Sequence, residues 1–185
     1  AADRQRTIGL GVLLVLALAI PRLLGFGPRM DLVHYNLGRI EQEAGFPERA
    51  ADHYRQSLEY NDEHLPPLLN LGSIAARSGQ LELALRLYQR ALTVEPRSDD
   101  ARVNLGNVYL AGGNTERATA EFELALELNP RNVFALYSAF TIARRASDED
   151  PAQEQRAQEL RQQLMEVLPG HPQEEELRRQ IGRLD

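Results

Sequence analysis

Apolar side chains recur along most of this chain at intervals of three and four residues, the spacing that puts them on one face of a helix. Glycine, proline and short polar turns interrupt the pattern repeatedly. Residues 99–132 show the unit most plainly. Leu105, Val108 and Tyr109 share a face with the small Gly106, and Ala118, Phe122, Ala125, Leu126 and Leu128 do the same in a second segment. Gly112-Gly113-Asn114 breaks the two apart, and Pro130 ends the second, because proline lacks an amide hydrogen and biases its predecessor away from helix. The spacing predicts two short antiparallel helices. One such pair cannot cover its own apolar face, so it requires neighbours.

The neighbours stand at a fixed period. Leu37-Gly38, Leu71-Gly72 and Leu105-Gly106 follow one another every 34 residues. Gly45, Gly79 and Gly113 mark the turns, and Ala50, Ala84 and Ala118 open the second helices. Tyr54, Tyr88 and Phe122 carry a large ring, while Pro96 and Pro130 terminate. Small residues fall where helices must approach and large ones where space must be filled. On these landmarks the chain, over roughly residues 31–172, resembles the tetratricopeptide repeat proteins. The resemblance implies an all-α, right-handed solenoid of helix-turn-helix repeats. Its units are 31–64, 65–98, 99–132 and a divergent 133–171, preceded by a single hydrophobic helix (1–27) and a linker (28–30), and followed by a capping helix (172–185).

The fourth unit departs from the pattern. Phe140 stands where the earlier units have Gly38, Gly72 and Gly106, which is expected to push the helix pair apart or shift its register. Pro169 follows Pro130 by 39 residues, so about five residues are extra, and the polar turn Ser147–Pro151 is where they are expected. The last stretch has only Leu177, Ile181 and Leu184 as apolar points, which fits a polar cap on the end of the stack.

Thr7–Ile20 (TIGLGVLLVLALAI) carries no charge and follows Arg4 and Arg6. Those features and the small Ala17 and Ala19 also fit a secretory signal peptide, but a retained anchor is the preferred reading. The run is shorter than the roughly 20 residues that cross a bilayer, yet counting through residue 27, with Arg22 snorkelling, makes a span. The arginines before it place the repeats outside the cytoplasm, as a single-pass membrane protein. The chain starts at Ala1, without methionine, which keeps two alternatives open. One is a filament subunit with the apolar helix in a polymer core, as in type IV pilins, although Gln5 stands where those pilins carry glutamate. The other is the non-catalytic tail of a larger membrane enzyme such as a glycosyltransferase.

Composition narrows the chemistry. There is no cysteine, so neither disulfides nor thiolate metal sites arise. Lysine is absent too, and the net charge of −6 argues against a nucleic-acid partner. His34, His53, His64 and His171 show no metal-ligand spacing, and no nucleophile sits in a recognisable turn. His34 reads as a packing residue. Asp148-Glu149-Asp150 lacks the spaced ligands and glycine of a calcium loop. No enzyme activity, cofactor or metal is expected.

Binding is better supported. In a stack of helix pairs the first helices line the concave side. The residues expected there are Asn36, Arg39 and Glu43, then Asn70, Ser73 and Arg77, then Asn104, Asn107 and Ala111, then Tyr137, Thr141, Arg144 and Arg145. Asn36, Asn70 and Asn104 recur every 34 residues, with Ser138 ending the series. This spacing is similar to the asparagine ladder of the O-linked N-acetylglucosamine transferase, which implies amides holding the main chain of an extended peptide. An amide both donates and accepts, so it suits a peptide of any sequence. Arg39, Arg77, Arg144 and Arg145 point to a protein partner with acidic segments, since guanidinium forks pair with carboxylates. The carboxylate clamp of chaperone-binding tetratricopeptide proteins is not matched, because Val103 and Asn107 supply no base.

Overall fold

The computed structural model describes residues 29–147 and 150–184, and all regular structure among them is α-helical. The chain divides between Asp62 and Glu63 into two compact units. The first contains α1 (Met30–Glu43) and α2 (Pro47–Tyr60). The second contains α3 (Leu65–Arg77), α4 (Leu81–Val94), α5 (Asp99–Ala111), α6 (Thr115–Leu128), α7 (Val133–Ala146), α8 (Pro151–Val167) and the short α9 (Glu174–Ile181). The apolar stretch 7–27, and the anchor expected of it, lie outside the described residues. No helix among the described residues is long and apolar enough to cross a membrane.

Helix ends are written into the sequence. The Ser98 hydroxyl accepts from the Ala101 amide (3.2 Å), and the Asn132 carboxamide accepts from the Ala135 amide (2.9 Å). Asn114 caps α6 and Asp150 caps α8 in the same way. Each such cap is worth about 1 kcal/mol. Gly79 and Gly113 end the first helices with φ of 74° and 79°, a left-handed backbone that glycine adopts without penalty.

Within each of the first three pairs one contact sets the spacing. A Cβ placed on Gly38 would meet the Tyr54 ring at 2.6 Å, on Gly72 the Tyr88 ring at 2.6 Å, and on Gly106 the Phe122 ring at 2.7 Å. The ring of the second helix thus lies flush against bare backbone of the first. All three rings are buried, as are Ala50, Ala84 and Ala118, one turn before them.

The fourth pair packs with a large residue on its first helix. Phe140, on the first helix, is buried, and it shares its core with the small Ala157 and with Leu160 and Leu164 of α8. The residue that replaces the glycine of the earlier pairs is therefore enclosed in the core of this pair. The extra residues do not mainly lengthen the connection. Relative to the preceding pair, α7 has one more residue, the connection one more, and α8, at 17 residues against 14, takes the other three. The reason is the apolar spacing of α8, where Ala157, Leu160, Leu164 and Leu168 stay on one face for an extra turn. Leu177 and Ile181 of α9 close the end of this core.

The first unit has its own fastening. The buried Ser57 hydroxyl donates to the Asp31 carbonyl (2.6 Å), and the Asp31 carboxylate pairs with Arg29 (2.7 Å). Leu37, at 38% exposure, differs from its counterparts Leu71 (6%) and Leu105 (3%), and Leu32, Val33 and Ile40 of α1 are exposed beside it.

The glycine-to-ring contact makes a stability prediction. Gly106→Ala is expected to lower the unfolding free energy by about 1–2 kcal/mol in urea titrations, the overpacking outweighing alanine's better helix propensity. In a Phe122→Leu background the same change should be neutral or stabilising, because the rigid ring that meets the new methyl is gone.

Candidate peptide-binding groove

The first helices of the second unit, α3, α5 and α7, present matching positions to a common depression of about 530 Å³. Leu69, Asn70 and Ser73 line it from α3, Asp100, Val103, Asn104 and Asn107 from α5, and Phe134, Tyr137 and Ser138 from α7. A second depression of about 200 Å³ shares Ser73, Asn104 and Asn107 with the first. It adds Arg77 and Ala111 on the rim and the Tyr88 ring behind. Burial pushes the Tyr88 phenol up to about 12, so it remains neutral at physiological pH.

Most of the expected groove residues of this unit meet here. Asn70, Ser73, Asn104, Asn107 and Tyr137 line the larger depression and Arg77 the smaller one. Asn70 and Asn104 are half-buried, and their carboxamides make no hydrogen bond to another described residue. The Ser138 hydroxyl points to the Asn107 carboxamide at 3.5 Å, a weak link between α7 and α5. Arg144 and Arg145 are elsewhere. The Arg144 guanidinium donates to the Ser147 hydroxyl (2.8 Å), Arg145 is exposed, and neither lines either depression. Thr141 turns its hydroxyl to the Tyr137 carbonyl (2.8 Å). Asn36 and Arg39 belong to the first unit, where both are exposed and Arg39 pairs with Glu43 (3.0 Å). His34 stacks on the His53 and Tyr60 rings, with centroids 5.8 and 5.6 Å away.

Three lining residues escaped the sequence reading, Leu69, Asp100 and Phe134, while Val103 entered it only as an unmatched clamp position. Asp100 and Phe134 stand one helical turn before Asn104 and Ser138, and Leu69 and Val103 immediately precede the asparagines. Extending the search one turn toward each helix start would have found Asp100 and Phe134, since residues four apart share a helical face.

The family model of the tetratricopeptide repeat matches residues 69–133, most of α3 through α6. The pairs α3–α4 and α5–α6 are thus similar to tetratricopeptide repeats. Among solved structures, MamA is similar over 98% of this chain and 96% of its own, with a TM-score of 0.61 and 19% identity. The K341M mutant of the Thermobaculum terrenum O-GlcNAc transferase matches 67% of this chain and 24% of its own (TM-score 0.61, 24% identity). The Arabidopsis OM64 TPR domain matches 62% of this chain and 96% of its own (TM-score 0.59, 17% identity). At such identities the likeness concerns the fold. Among curated protein sequences none matches the chain.

A carboxylate ties successive tetratricopeptide units together beside the groove. Asp99, at the start of α5, accepts hydrogen bonds from the carboxamides of Asn129 (2.7 Å) and Asn132 (2.9 Å) in the connection between α6 and α7. Asn132 in turn caps α7, so the link reaches the helix that carries Phe134 and Tyr137. Asp31 and Asn61 repeat the pairing, at 3.5 Å, within the first unit. Partial burial alone would raise the Asp99 pKa, but Asn132, Asn129 and nearby backbone amides outweigh it, and the carboxyl ends below its ordinary range.

A group with a depressed folded-state pKa stabilises the fold above its unfolded pKa, near 3.9 for aspartate, and loses that contribution as pH falls through the folded value. Asp99→Ala is therefore expected to cost about 1 kcal/mol at pH 7, discounted for the exposure of the site. The gap from the unaltered chain should close as the pH drops through the carboxylate range, measured by chemical denaturation across pH.

Proposed function

We propose that this protein is a non-catalytic scaffold that binds an extended segment of a partner protein along α3, α5 and α7. A tetratricopeptide fold suggests a protein-interaction scaffold in general. The observation that carries the specific reading is the pair Asn70 and Asn104: two half-buried carboxamides lining one depression, each without a hydrogen bond to another described residue. Their polar atoms are open to solvent in the depression, so a ligand can take the hydrogen bonds that water otherwise supplies. An extended peptide main chain does so, offering alternating donors and acceptors. Leu69, Val103, Phe134 and Tyr137 provide apolar area around them.

Sequence features extend the proposal. The uncharged run Thr7–Ile20 behind Arg4 and Arg6 supports attachment to a membrane with the repeats on the far side from the cytoplasm. Arg77 supports a carboxylate on the partner near the α5 C-terminus.

Photo-reactive side chains placed at Ser73, in the groove, and at the exposed Gln89 of α4 test this in the native host. Protein adducts should form from Ser73 only. Asn70→Ala with Asn104→Ala should weaken binding of that partner about tenfold or more, since each lost amide pair is worth about 1 kcal/mol. Equal adducts from both positions, or binding indifferent to the asparagines, would exclude the reading.

A further inference from the structure

The charge of the groove is unevenly placed. Its floor is amide and hydroxyl, with Asn70, Ser73, Asn104 and Asn107, but Asp100 stands in the larger depression beside Phe134 and Tyr137, and no arginine lines that depression. Asp100 is exposed at the edge of the depression; partial desolvation raises its carboxyl above its ordinary range, the neighbouring Asp99 adds to this, and Asn132 offsets it in part. A carboxylate in such a place gains by meeting a cation. The Phe134 ring, which meets the His171 ring edge to face at 5.4 Å and is still 42% exposed, and the half-buried Tyr137 ring add aromatic surface on which a guanidinium or ammonium rests favourably. At the other end, Arg77 shares the smaller depression with Ala111.

Resting on the groove reading above, we propose that Asp100, Phe134 and Tyr137 form a socket for an arginine or lysine of the bound segment, and that Arg77 receives a carboxylate farther along it. Asp100 and Ala111, which shares the smaller depression with Arg77, are eleven residues apart on α5, a rise of about 16 Å, so an extended segment needs at least about five residues to reach from the socket to the depression that Arg77 lines. The favoured partner thus carries a basic and an acidic side chain at least about five positions apart, in one polarity. A reversed segment would bring the basic side chain to Arg77 and the acidic one to Asp100. The groove therefore reads direction through charge and holds the main chain through amides. The acidic-partner expectation becomes one half of a two-ended requirement.

A displayed library of randomised nine-residue peptides, selected on the full chain, tests both ends. Enriched peptides should carry arginine or lysine with aspartate or glutamate about five or more positions away, always in the same order. Asp100→Asn should weaken a selected peptide at least tenfold without changing the thermal melting of the chain. Asp100→Arg should recover binding when the basic residue of the peptide is replaced by glutamate. Should the double variant Asn70→Ala/Asn104→Ala lose binding while Asp100→Asn does not, or should enriched peptides show no cation, the socket falls and the groove stands. If no peptide is enriched over the double variant, both fail. Self-association that Asp100→Asn abolishes, read by sedimentation, would make a second copy the occupant and overturn the assignment to a foreign segment.

Discussion

Three glycines lying against three aromatic rings set the geometry on which everything else rests. Where Gly38, Gly72 and Gly106 face Tyr54, Tyr88 and Phe122, there is no room for a single methyl group, because the Cβ would sit within 2.7 Å of a flat, buried ring. A ring cannot bend out of the way as a methionine or lysine can, so the separation of the two helices is determined by backbone and ring thickness alone. Alanine one turn earlier, at positions 50, 84 and 118, lets the second helix keep that separation along its length. In the fourth pair Phe140 stands at the place of the glycine and is enclosed in one buried core with Ala157, Leu160 and Leu164.

Once the spacing within pairs is constant, equivalent positions on α3, α5 and α7 come to face the same depression, and a 34-residue period in sequence becomes a line of side chains in space. Asn70 and Asn104 occupy that line as open carboxamides, and Ser138 continues it. Such a floor is tolerant of partner sequence, since it addresses atoms that every peptide possesses. Discrimination then falls to the residues on which the units differ. Position for position, Pro66, Asp100 and Phe134 share nothing but their place in the repeat, and this variation lets three similar units form an asymmetric site.

The connections matter as much as the helices. Asp99 gathers the carboxamides of Asn129 and Asn132, and Asn132 spends its other side-chain atom on capping α7. A cap, a turn and the start of a neighbouring unit are thereby one hydrogen-bonded cluster, so a change in any of them reaches the wall that carries Phe134 and Tyr137.

Much of this could be read from the residues in order. Helix type, turn positions and the pairing of small with large follow from local rules: glycine and proline restrict the backbone, three-and-four spacing selects a face, and a constant period means that each unit solves the same packing problem. The asparagine line followed as well, because it repeats with that period. What depended on the tertiary structure is whatever lacks a repeat to compare with or depends on where a long side chain ends up. Phe140 looked like an obstacle because the residues that enclose it, Ala157, Leu160 and Leu164, stand in another helix. Asp100 was not singled out, since a string of residues does not show that an exposed carboxylate at a helix start shares a depression with Phe134 and Tyr137. Arg144 looked available until Ser147 proved close enough to hold it. Periodicity fixes backbones, but site chemistry is settled by neighbours far apart in the chain, and only their arrangement in space reveals which charges stay open.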